Sequence, residues 1–223
     1  MASKDKKGKI ITLIITTLIC LTPIILGVAL WERLPDELPG QYGFNDQVNW
    51  TAPKWVNVFI LPIFIALMNL IMNIIAIKQS ENITSKKLNA LVVLIIPVMS
   101  IIINPFMILK PLGLQIEAYR VVIPLISVIL ILSGNYMPKT KPNKYIGARF
   151  SAALKDEKIW AKSQRFVGAV FVICGFVSLI FSFFPIGRYV FIGAFIIMSV
   201  ITTFYTIYVS RKYKNNSSVK KGI

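Results

Sequence analysis

Few side chains in this sequence have the means to do chemistry. Asp36, Glu37 and Asp46 are its clustered carboxylates, and they lie in one turn-rich stretch. Nothing near them in sequence is of a kind that would activate a carboxylate. Arg149, between Gly147 and Phe150, has a planar fork of donors suited to a carboxylate or to backbone carbonyls. Its use in tying a loop to the rest of the protein is an equally good reading. The chain has no histidine, so the commonest neutral-pH base and the commonest metal ligand are missing. A Ser–His triad, a zincin helix and a Cys/His zinc site are excluded. Cys20 and Cys174 fall in apolar sequence, where buried thiols are packing residues. We expect no enzyme, no catalytic residue, no metal and no cofactor.

The elements that must position these residues are apolar blocks. Six contain no Asp, Glu, Lys or Arg: Ile10–Leu30, Val56–Ile77, Leu88–Leu109, Val121–Met137, Phe166–Phe184 and Tyr189–Val209. A helix crosses ~30 Å of hydrocarbon in about 20 residues, with a threshold near 18. The first block is too long for a signal h-region and has no small-residue cleavage site before Trp31, so it is read as a span. The expected fold is all-α, a polytopic integral membrane protein of six transmembrane helices in the cell membrane. Its parts are an N-terminus (1–9), a three-helix half (10–109) with an outer loop (31–55), and an outer loop with the fourth span (110–137). A basic loop (138–165), a helical hairpin (166–209) and a basic tail (210–223) follow.

The formal charge of +16 suggests nucleic acid until its distribution is read. One side of the six spans holds Arg33, Lys54, Lys110, Arg120 and Arg188, balanced by Glu32, Asp36, Glu37, Asp46 and Glu117. The other side holds the remaining 20 of the 25 Lys/Arg. The positive-inside rule makes that second side cytoplasmic, together with both termini. The excess charge then faces anionic lipid head groups of the membrane, and no direct nucleic-acid contact is expected. Trp31, Trp50 and Trp55 at outer span ends, and Trp160 before span five, occupy belt positions for amphipathic indoles.

No acid or base lies deep in a span, which argues against a proton relay. Asn69 and Asn73, spaced i, i+4, predict hydrogen bonding between helices, with a polar cavity as the alternative. Pro23, Pro62, Pro97, Pro105 and Pro124 should bend their helices. In the outer loop Pro35 and Pro39 stiffen the chain, Gly40 and Gly43 permit positive φ, and Asn45-Asp46 favours a tight turn. Leu34 and Leu38 should fold down and the carboxylates up. In the inner loop Pro138 and Pro142 stop the helix, and Ser151 is a candidate cap for a short helix running through Leu154 and Trp160.

Gly134-Asn135-Tyr136-Met137-Pro138, Lys141-Pro142-Asn143, Ile146-Gly147-Ala148-Arg149, Leu154, Trp160 and Arg165 resemble the signature of the SdpI-type bacterial immunity proteins. Leu34-Pro35-Asp36-Glu37-Leu38-Pro39 with Gly43 and Lys54 is similar to the outer-loop motif that accompanies it. The resemblance implies a membrane protein that protects its producer from a secreted toxic peptide. It also implies, for some members, signalling through a cytoplasmic winged-helix repressor held at the membrane. It makes Leu34, Pro35, Asp36, Pro39, Gln41, Gly43 and Asp46 the candidate peptide-binding residues. Gly134, Asn135, Pro142, Asn143, Gly147, Arg149, Trp160 and Arg165 become a partner-binding or structural motif. Gln41 and Gln164 stand where the family usually or often has histidine, and Ser151-Ala152-Ala153 where Pro-Trp is common. The competing reading is a small transporter built on an inverted three-helix repeat, with Pro39, Tyr42, Gly43 and Phe44 echoing Pro142, Tyr145, Gly147 and Phe150.

Overall fold

The computed structural model describes residues 2–79, 86–142, 147–148 and 150–219, with side chains described outside 2–7, 76–91 and 214–219. Asn143 and Arg149 therefore lie outside the described residues. Among those described, six helices are long and apolar enough to cross a membrane: Gly8–Ala29, Val56–Ile75, Val92–Leu112, Tyr119–Lys139, Glu157–Phe181 and Gly187–Tyr213. They coincide with the six expected spans, and the protein is a multi-pass membrane protein. Cys20 and Cys174 are buried free thiols, as expected of packing residues.

The chain forms two compact units, residues 1–80 with 89–122, and residues 81–88 with 123–223. In the first, α1 (Ala2–Leu21) gives way to α2 (Pro23–Ala29), so Pro23 divides the first span. Helix α3 (Leu61–Gln79) is preceded by a π-helical turn, Val56–Ile60. Pro62 accounts for that turn. Its ring lacks the N–H that would reach residue 58 and crowds that carbonyl, and a wider turn relieves both. Helix α4 (Lys86–Leu109), from Asn89 onward, completes the unit with the first residues of α5 (Tyr119–Tyr136).

Amides and hydroxyls cross-link these spans. Asn69 Nδ2 on α3 donates to Thr16 and Thr17 Oγ1 on α1, both at 3.2 Å. Asn73 Nδ2 donates back to the Asn69 carboxamide and carbonyl oxygens, both at 2.9 Å. The i, i+4 pair thus serves helix association. Ser100 Oγ on α4 donates to the Cys20 carbonyl at 3.0 Å, and Asn104 Nδ2 donates to Ser100 Oγ at 2.9 Å. Each of the bonds between helices contributes about 0.6–2 kcal/mol in a membrane.

The outer loop holds structure that its sequence hid. Residues expected to be a turn-rich loop form an antiparallel hairpin, β1 (Glu37–Tyr42) with β2 (Val48–Pro53). Pro39 and Gly40 inside β1 mask the strand signal. Proline is tolerated because Pro39 faces Thr51 at a position that needs no ladder bond. The expected tight turn is present: Asp46 adopts φ 63° and Gly43 N–H donates to the Gln47 carbonyl at 2.7 Å.

In the second unit, the remainder of α5 is followed by α6 (Ser151–Lys155), α7 (Glu157–Phe181) and α8 (Gly187–Val219). Ser151 does not cap a helix reaching Trp160. Phe150, extended at φ −130°, is the N-cap residue of α6, and the helix stops at Asp156. The Asp156 carboxylate then caps α7, accepting from the N–H groups of Lys158 and Ile159. An acidic cap competes well for a helix start, and it divides one expected helix into two.

Candidate functional site

Two ordered regions are built on these elements, one in each unit. In the first, Leu34 and Leu38 are buried with Val58 and Ile108, so the leucines do fold under the hairpin. Asn57 Nδ2 donates to the Pro39 carbonyl at 3.0 Å. The Lys54 ammonium stands 3.2 Å from the Asp36 carboxylate and 4.9 Å over the Trp31 ring. Asp36 is almost fully exposed, so this pair adds little stability.

The Asp46 turn is fastened more firmly. Its carboxylate accepts from the Lys110 ammonium and, at 2.7 Å, from the Ala118 N–H. Lys110 also donates to the Ile116 carbonyl at 2.8 Å and lies 4.8 Å over the Tyr42 ring and 5.5 Å over Phe106. A lysine just past the end of α4 thereby clips the hairpin tip to the connection before α5. Burial, and then the Asp46 charge, push the Tyr42 phenol up to about 12, so it stays neutral under the cation. Hydrogen bonding to Arg120 holds the Glu117 carboxyl below its ordinary value in the same connection. Sequence reasoning missed Lys110, Tyr42 and Phe106. The one available signal was a lone lysine in a short outer connection, 64 residues from the carboxylate it meets.

Of the candidate outer residues, Leu34 and Pro39 are buried supports and Asp46 is the clipped tip, while Pro35, Asp36 and Gln41 are exposed and Gly43 is half-buried. Trp50 and Trp55 are about half exposed.

The second region is organised by one face of α7. Trp160, Gln164 and Gly168 follow at i, i+4 and i+8, the spacing that aligns side chains along a helix. Trp160 is 1% exposed and its Nε1–H donates to the Thr140 carbonyl at 2.8 Å. This corrects the interfacial reading: the indole is a buried peg with a satisfied donor, not a belt residue. Gln164 is fully buried. Its Nε2–H donates to the Ala148 carbonyl and its Oε1 accepts from the Ala148 N–H, both at 3.1 Å. Gly168 meets Gly134 of α5 backbone to backbone; a Cβ on either would lie 2.5 Å from the other's carbonyl oxygen. Ala152 and Ala153 are also buried.

Gly134, Gly147 and Trp160 are therefore packing members of the inner motif, whereas Asn135 and Arg165 are exposed and Pro142 is half-buried. Gln164 was noted only as a departure from a family pattern, yet it pairs with both backbone groups of Ala148. The four-residue spacing of Trp160, Gln164 and Gly168 was the signal available for it.

Gly147 has φ +100°, and a Cβ there would sit 2.4 Å from Gln164 Oε1. We expect Gly147→Ala to destabilise the detergent-solubilised protein by about 1–3 kcal/mol. Gly113 has a similar φ of +106° with open space around it. Gly113→Ala then reports strain alone, and thermal melts should show the larger loss at Gly147.

Residues 139–209 match the family model described as the SdpI/YfhL protein family, and residues 18–66 match one described as a domain of unknown function, DUF1648. The second match contains the hairpin, and the first contains most of the inner motif. The immunity protein SdpI of Bacillus subtilis (strain 168) is 31% identical over 184 residues, which cover 82% of this chain and 85% of that protein. No solved structure matches.

Proposed function

The chain belongs to the SdpI/YfhL family, and from that membership we propose that it is a non-enzymatic membrane immunity protein that protects a bacterial cell against a secreted toxic peptide. The observation that carries this reading is the similarity to an immunity protein over most of both chains. The geometry is consistent with it. The positive-inside rule puts the clipped hairpin outside the cell, where an ordered, partly aromatic surface suits recognition of a peptide. Its carboxylates are engaged in ion pairs or hydrogen bonds with Lys54, Thr51 and Lys110 rather than poised for catalysis.

The same rule puts the inner motif in the cytoplasm. There the basic segment 138–165, packed on the buried face of α7, offers a seat for an acidic patch on a cytoplasmic repressor. Expression in a peptide-sensitive host should raise survival when that host is challenged with the toxic peptide of the strain that carries this protein. Survival no better than that of the empty-vector host would overturn the proposal. For the signalling half, a fluorescent fusion of the neighbouring repressor should move to the membrane on peptide challenge. A fusion that stays dispersed would remove that half alone.

A further inference from the structure

We propose that the free edge of β2 is the seat of an extended cationic peptide segment, which adds there as a third strand. This rests on the peptide-recognition reading above and specifies how the recognition is made.

A two-stranded sheet has two outer edges, and here they differ. The β1 edge is closed: Pro39 has no N–H, and its carbonyl is taken by Asn57. The β2 edge is open. Lys54 N–H donates to the Asp36 carbonyl, and ladder bonds alternate along an antiparallel pair. Thr51, paired with Pro39, therefore turns its own N–H and carbonyl away from β1. Val48, Asn49, Trp50 and Thr51 are all exposed. Unpaired main-chain groups on an exposed strand are a template for another extended segment.

Two side-chain features say what kind of segment fits. The Trp50 ring lies flat on Gly40, where a Cβ would come within 2.1 Å of it, so the indole is held as a plate with half its surface open. With Val48 it supplies an apolar contact beside the edge. The Glu37 carboxylate accepts from the Thr51 hydroxyl, which fixes a negative charge at the middle of the edge. Within a chain of net charge +16, residues 31–55 hold four acids, Glu32, Asp36, Glu37 and Asp46, against Arg33 and Lys54. A strand carrying lysine or arginine between apolar residues matches both features, and main-chain pairing would supply the affinity.

The test uses the full chain in phosphatidylcholine nanodiscs and a labelled octapeptide of alternating lysine and valine. Its partner probe is the same peptide N-methylated at every residue, which keeps the charge but has no amide N–H with which to pair along either edge. We expect the parent peptide to bind at least tenfold more tightly than the methylated one, and Thr51→Pro to abolish that difference. Equal binding of the two peptides overturns the proposal whether or not Thr51→Pro folds. Equal uptake by empty nanodiscs overturns it in favour of lipid. Self-association that Thr51→Pro removes, without peptide binding, overturns it in favour of a second copy of this chain. In the host challenge, wild-type and Thr51→Pro chains that protect equally sink this inference alone. A wild-type chain that fails to protect sinks the immunity reading instead.

Discussion

Trp160→Ala should be among the most damaging single substitutions in the second unit, at about 3–5 kcal/mol. Among the described residues the indole is the largest of the fully buried side chains, and it holds the Thr140 carbonyl from one end of the α7 face. Its loss opens a cavity and leaves a buried carbonyl without its donor, and each carries its own cost. Trp160→Phe separates them: it keeps most of the packing and should cost about 1–3 kcal/mol, chiefly the unsatisfied carbonyl. Thermal unfolding in detergent measures both. A Trp160→Ala protein as stable as wild type would mean that the indole is not a peg at all. If the inner motif also signals, Trp160→Phe should reduce recruitment of the repressor without reducing the amount of protein in the membrane.

Lys110→Met is the corresponding test of the hairpin. Methionine keeps the stem packed between Tyr42 and Phe106 but removes the charge, leaving Asp46 with the Ala118 N–H as its remaining described partner. The Lys110 side chain is 12% exposed and that of Asp46 25%. Breaking such a pair from one side should cost about 2–4 kcal/mol, mostly as a partly buried carboxylate without its cation. The hairpin should then open locally, with faster proteolysis between Glu37 and Pro53 and loss of protection in the host challenge. Asp46→Asn in the Lys110→Met background should recover part of the loss, because it removes the stranded charge. Additive effects of the two changes would show that the residues do not act as a pair.

The spans were legible because bilayer thickness imposes length and hydropathy on each one separately. The face of α7 was half legible. Gly134, Gly147 and Trp160 stood out by residue type, but their shared partner helix did not, because it depends on how α5 and the inner loop return to α7. The hairpin was hidden, since Pro39 and Gly40 are poor strand formers in isolation. They are tolerated at an edge where no N–H is needed and where a tryptophan takes the space of the missing side chain. The Lys110 clip was barely legible, because a lone lysine in a short outer connection is its one local mark and its carboxylate lies on another element.

Gln164 carries one more consequence. A carboxamide has no proton to gain or lose near neutral pH, and here both its donor and its acceptor are engaged by a single residue, Ala148. That clamp is blind to acidity. Any message it passes between the inner loop and α7 is one of position alone, so a cell that acidifies under attack would not change the setting of this joint.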